Sequence, residues 1–222
     1  MNKVEFYAMS IAAVLNEPID RVLPMFELDR QKEIVNYRFP ADRNRTAYGE
    51  LLAKWLIGQK TNRKLPSIRF ARGAFGKPYC LGSRYLFNLS HSGQWIVCSI
   101  GTVVSGVDVE TQQEIDLAIA REYFLPKEYA WLCSLPENAR NLAMLEFWTL
   151  KESYLKYTGQ GLLGELEKVD CQSLLAGDCN VGAKNFLLEE NDVAGICTER
   201  DYLPDKVSFI DCHSLLEAVL PK

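Results

Sequence analysis

Read for periodicity, the chain passes through a strand, helices and strands, and then passes through the same order again. Strand-like VEFYAM opens it. Helical spacing follows in RQKEIVNYRF and in RTAYGELLAKWLIGQK, where Leu51, Leu52, Trp55 and Leu56 recur on one face. Turn residues punctuate LPSIR, RGAFGKP and LGS, and the strands RYLFNLSH and QWIVCSIG, parted by Ser92–Gly93, read as a hairpin. The order restarts at VVSGVDVE, with helical patterns at IDLAIAREYF, PKEYAWLCSL and NARNLAMLEFWTLKESYLKYTG and strands at NFLLEE, AGICTER and VSFIDC. No residue-level repeat accompanies it. Element order alone predicts an α+β fold of two similar halves, residues 1–105 and 106–222. They should pack closely, since no Pro-rich or Gly/Ser-rich linker divides them.

Composition excludes several classes. No apolar run approaches the roughly 20 residues a membrane span needs, so no membrane role is expected. The opening MNKVEFYAMSIAAVL carries Lys3 and Glu5 and reads as a strand rather than a signal peptide. Seven cysteines are scattered without a CxxC pair, which gives neither a disulfide framework nor metal-ligand spacing. Reduced thiols in a cytoplasmic protein are the expectation. The net charge of −4 argues against general nucleic-acid binding. Locally the charge is lopsided: no Asp or Glu lies between Glu50 and Asp108, while Lys54, Lys60, Arg63, Lys64, Arg69, Arg72, Lys77 and Arg84 do. ADRNRT adds Arg43 and Arg45 just upstream. This points to a polyanionic ligand or an acidic partner, or to a wet surface whose asymmetry is accidental.

Candidate chemistry starts at GVDVE. The strand period of two places Val107 and Val109 on one face and Asp108 with Glu110 on the other. Paired carboxylates repel, so they need a cation or an exposed strand end, and Mg²⁺ suits a site of few carboxylates with open positions for phosphates. In the helix NARNLAMLEFWTLKESYLKYTG, the residues Ala143, Phe147, Leu150, Tyr154 and Tyr157 follow a core-facing stripe, while Trp148, Glu152 and Lys156 form a second one. Either that second stripe is the wet side of the helix, or Glu152 completes a three-acid site with Asp108 and Glu110. In NLSHSG, Ser90 and His91 are strand neighbours on opposite faces and cannot pair as nucleophile and base. GAFGKP lacks the glycine spacing of a nucleotide-triphosphate loop and has Pro78 where Ser or Thr should sit.

Taken together, SGVDVE, WTLKESYLK, the Gly76–Lys77–Pro78 segment and NLSHSG resemble, in order, the motifs of the 4'-phosphopantetheinyl transferases. The match is to the larger, Sfp-type branch, in which two similar halves form a pseudo-dimer within one chain. It is specific from about residue 43 to 162 and loose at both ends. The resemblance implies transfer of the phosphopantetheine arm of coenzyme A to a serine of an apo acyl or peptidyl carrier protein, with release of 3',5'-ADP. It further implies that Asp108, Glu110 and Glu152 hold Mg²⁺, with Mn²⁺ an alternative. Glu152, or a water on the metal, would take the serine proton, and Lys156 would stabilise or protonate the leaving phosphate. Lys77, Ser90, His91 and Lys151 would contact phosphates of coenzyme A, with Arg45 and Thr46 on its 3'-phosphate or adenine side. Two fused halves make a monomer sufficient for one site. A non-catalytic binder of coenzyme A or carrier, and a Mg²⁺ phosphohydrolase, use the same residues and stay open.

Overall fold

The computed structural model describes residues 3–73, 76–111, 116–160, 165–177 and 180–220. The first half opens with β1 (Glu5–Ser10) and continues through α1 (Leu28–Val35) and the long α2 (Pro40–Thr61). Two short strands follow, β2 (Phe70–Arg72) and β3 (Pro78–Cys80), then β4 (Leu86–Ser92) and β5 (Trp95–Gly101). The second half runs from β6 (Ser105–Glu110) through α3 (Leu117–Tyr123), α4 (Pro126–Ser134), the long α5 (Glu137–Thr158) and α6 (Cys171–Ala176). It ends with β7 (Val181–Leu187), β8 (Val193–Glu199), β9 (Val207–Phe209) and α7 (Cys212–Val219).

The repeated order corresponds to repeated topology. The first sheet is ordered β4-β5-β1-β9 and the second β6-β8-β7. In each half the opening strand pairs antiparallel with the second strand of a later hairpin, β1 with β5 and β6 with β8. In each, a 22-residue helix lies between them in sequence, α2 and α5. The α+β fold of two similar halves is therefore the fold of the chain. Both long helices stop on a left-handed residue, Asn62 after α2 and Gly159 after α5, which turns the backbone out of the helix. The β4–β5 hairpin turns at Gly93, whose φ of +53° suits a residue without Cβ.

One segment crosses the expected boundary at residue 105. β9 runs parallel to β1 and extends the first sheet, and Cys212, Leu215, Leu216 and Val219 of α7 join the first half's core with Leu51, Leu52 and Ile57. VSFIDC thus belongs by packing to the half that precedes it, because β1 presents a free edge there. A second difference concerns the turn-rich RGAFGKP: β2 and β3 flank it and pair as a separate two-stranded sheet.

The halves are joined by an apolar cluster. Phe6, Ala8, Trp95 and Val97 from the first sheet bury against Val107, Val109, Ala194 and Ile196 from the second. Full burial of a Val, Ile or Phe side chain stabilises by about 1.5–3 kcal/mol. Because Val107 and Val109 face that cluster, period two turns Asp108 and Glu110 the other way. β4 and β6 are edge strands of different sheets, and the candidate site lies where they meet.

Candidate active site

A stripe of polar side chains on β4 meets β6 at this seam. Asn88 Oδ1 accepts the Val107 N–H at 2.8 Å, Ser90 Oγ donates to Asp108 Oδ1 at 2.8 Å, and Ser92 Oγ donates to Glu110 Oε2 at 2.9 Å. Residues 88, 90 and 92 alternate along the strand, so one face of β4 supplies all three bonds. They take the place of a backbone ladder and set the register between the halves. Ser99 and Ser105 extend the seam with a bond of 2.8 Å.

Helix α5 crosses close above β6, and Gly106 makes that approach possible. A Cβ there would lie 2.1 Å from the Ser153 carbonyl oxygen and 2.3 Å from the Tyr157 nitrogen. Lys156 is thereby placed to donate to Asp108 Oδ1 at 2.7 Å and to Ser90 Oγ at 2.9 Å. Lys77 reaches the same point from the β2–β3 sheet, donating to the Lys156 carbonyl at 2.8 Å. Burial, and then the neighbouring Lys156 charge, lower the Lys77 pKa.

The three predicted carboxylates are neighbours. Asp108 is 4% exposed and its Oδ2 is buried without a partner among the described residues. Glu110 is pushed up to about 7, first by burial and then by the Asp108 charge, with Glu152 adding to it. Glu152 is also raised, by burial first and by Asp108 second. Among the described residues, no three His, Cys, Asp or Glu side chains stand as a ready-made metal cluster. The donor chemistry nonetheless fits a hard divalent cation: an orphaned carboxylate oxygen beside two acids whose like charges oppose ionisation.

Two cavities flank Lys156, which lines both. One, of about 390 Å³, is bordered by Arg30, Arg45, Thr46, Arg72, Ser90 and His91, with Glu50 in its wall. The other, of about 520 Å³, is mainly apolar, bordered by Tyr79, Leu86, Phe87, Leu89 and Val104 with Lys77 and Asn88. Arg45 is held by the Gly93 carbonyl at 2.8 Å and by Asp42. Arg30 is braced between Glu33 and Glu50 at 2.6 and 2.7 Å.

Lys151 is the residue the structure removes from this group. It is fully buried and paired with the equally buried Glu128 of α4 at 2.8 Å. It also donates to the Leu166 and Val169 carbonyls and lies 5.1 Å from the Phe124 ring centroid. On a helix adjacent residues diverge by about 100°, so Lys151 faces α4 while Glu152 and Lys156, four apart, share the site face. The basic stretch is divided in the same way. Of its eight residues, Arg72 and Lys77 line these two cavities. Lys54 is buried beneath Phe26 and Phe70, and Lys60 pairs with Glu5. Asn88 and Ser92 stand in the NLSHSG motif but carried no assigned role, since alternating polar residues on a strand resemble a wet face.

Two family models match the chain. One, described as the 4'-phosphopantetheinyl transferase superfamily, covers residues 105–202. The other, described as 4'-phosphopantetheinyl transferase, N-terminal, covers residues 16–102. The two matches meet where β5 hands over to β6. Among curated relatives, the 4'-phosphopantetheinyl transferase gsp of Aneurinibacillus migulanus is 37% identical over 134 residues, 60% of this chain and 56% of that protein. The match therefore takes in little more than half of the Aneurinibacillus protein. The 4'-phosphopantetheinyl transferase psf-1 of Bacillus pumilus is 26% identical over 94% of this chain and 97% of its own length. The 4'-phosphopantetheinyl transferase Sfp of Bacillus subtilis (strain 168) is 23% identical over 90% and 94%. No helix among the described residues is long and apolar enough to cross a membrane.

Proposed function

The chain belongs to the 4'-phosphopantetheinyl transferases, and from that premise we propose that it moves the phosphopantetheine arm of coenzyme A onto a serine of an apo acyl or peptidyl carrier protein, releasing 3',5'-ADP. The observation that carries this reading is the position of Lys156. It sits beside Asp108 and Ser90 and between a polar cavity with basic residues and an apolar one. Coenzyme A divides in a comparable way, with a nucleotide carrying phosphates at one end and an arm of methyl, methylene and amide groups at the other, and the bond to be broken is the P–O–P bond of the pyrophosphate that joins them.

In this reading the first half, residues 1–105, supplies coenzyme contacts and the second, 106–222, the carboxylates. Arg45, Thr46 and His91 serve the nucleotide end, and Ser90, Lys77 and Lys156 serve the pyrophosphate. Asp108, Glu110 and Glu152 would hold Mg²⁺ or Mn²⁺, and the bound ion would neutralise pyrophosphate charge and favour departure of the nucleotide. The ammonium of Lys156 carries positive charge to the leaving phosphate. Glu152 would take the carrier serine's proton. Both halves lie in one chain, so a monomer suffices.

The test is incubation of the protein with coenzyme A, Mg²⁺ and a panel of apo carrier proteins, followed by mass spectrometry. The expected product is a carrier heavier by one phosphopantetheine. No gain on any carrier, with a control transferase active, overturns the reading. Release of free phosphopantetheine without carrier replaces it with a hydrolase.

A further inference from the structure

Asn88 is 5% exposed and lies midway along β4. Its Oδ1 accepts the Val107 N–H, and because a backbone amide can only donate, that bond fixes which way round the carboxamide sits. Nδ2 therefore points away from β6. It donates to no protein acceptor among the described residues, and Asn88 borders the apolar cavity. The other buried polar side chain on that wall, Ser105, is already engaged with Ser99. Nδ2 is therefore a free amide donor on a mainly apolar wall, where a ligand with a well-placed acceptor can displace water and take its hydrogen bond.

We propose that Asn88 reads the arm of coenzyme A: Nδ2 donates to an amide carbonyl of the arm in the apolar cavity while Oδ1 holds the seam. The inference rests on the coenzyme A reading above. The arm fits the wall chemically, since its methyl and methylene groups suit Leu86, Phe87 and Val104 while its amide carbonyls need a donor. One side chain thus couples the register of the two halves to recognition of the substrate.

Asn88→Asp separates the two roles, because it keeps an acceptor for Val107 and replaces the donor with a second acceptor. The test compares calorimetric binding of coenzyme A with that of adenosine 3'-phosphate 5'-diphosphate, which has the phosphates without the arm. Asn88→Asp should weaken coenzyme A about tenfold, leave the armless nucleotide within about twofold, and leave hydrogen exchange of the Val107 amide unchanged. Asn88→Ala, which adds no charge, should also weaken coenzyme A selectively and should speed Val107 exchange. If Asn88→Asp does not fold, the alanine variant decides. Equal weakening of both ligands, or of neither, overturns the proposal and leaves the coenzyme A reading intact. Wild-type protein that binds neither ligand overturns both.

Discussion

Gly106→Ala should disable the site without unfolding the chain. The added Cβ would meet only backbone of α5: Ser153 O at 2.1 Å, Tyr157 N at 2.3 Å and Lys156 C at 2.8 Å. Backbone cannot swing aside as a side chain can, and Cβ contacts below 3.0 Å are essentially never seen. The helix must therefore withdraw from β6 by about 1 Å, against the close packing that surrounds it. Overpacking of this kind costs about 1–3 kcal/mol, which a domain with about 5–15 kcal/mol of stability survives. The same shift carries Lys156 away from Asp108, stretching a 2.7 Å contact beyond hydrogen-bonding distance. A misplacement of about 1 Å in a catalytic array lowers turnover by about a hundredfold. The assay is kcat/KM for carrier modification by mass spectrometry, with circular dichroism and a thermal melt to establish folding. Gly195→Ala is the graded control, because its Cβ meets Thr149 O at 2.9 Å and Ser153 Oγ at 3.0 Å and requires far less movement. It should lose much less. A folded Gly106→Ala protein within about twofold of wild type, or one no worse than Gly195→Ala, would refute the reasoning.

Three further outcomes follow from the same geometry. Lys151→Met leaves Glu128 buried and unpaired, and should cost about 3–5 kcal/mol in chemical denaturation. Adding Glu128→Gln, which removes the charge and keeps an acceptor for the Leu125 and Cys171 amides, should restore part of that, and coenzyme A affinity of the double variant should match wild type, since neither residue borders the cavities described. Ser92→Ala removes the donor to Glu110 Oε2 and should raise the divalent-ion concentration for half-maximal transfer by about tenfold, with unchanged affinity for the armless nucleotide. In cation-free protein, Glu110 titrates near 7 when folded against about 4.3 when unfolded, so folding favours its protonated form. That contribution is fully present below the unfolded value and is lost as pH rises through about 7. Thermal melts in chelator should therefore fall from about pH 5 to about pH 8, Glu110→Gln should flatten the fall, and a fall of unchanged size in that variant would count against the assignment.

How much of this was legible in the sequence depends on how local each cause is. The placement of Asp108 and Glu110 opposite Val107 and Val109 follows from strand period alone, and the structure buries both valines at the joint between the sheets. The same periodicity argument, applied strictly, separates Lys151 from Glu152 and Lys156, yet motif resemblance had grouped all three. What periodicity could not reach was the partner: Glu128 lies on another helix, and nothing in PKEYAWL marks it as the acid that neutralises Lys151. The return of β9 to β1 is hidden for the same reason, because a three-residue parallel pairing depends on an edge left free about two hundred residues earlier. The family motif NLSHSG held Asn88, Ser90 and Ser92 alike on one face, but only Ser90 and its neighbour His91 were given a role from it. On an isolated strand that face would be wet. It becomes a site only because the edge of a second sheet is brought against it, so the polar residues that turn toward β6 serve as both the seam and the support of the carboxylates. In a fold made of two similar halves, the joint is where residues that look solvated in sequence should be examined first. Asn88 illustrates why: its oxygen is bound to the joint, which leaves its nitrogen available to the cavity.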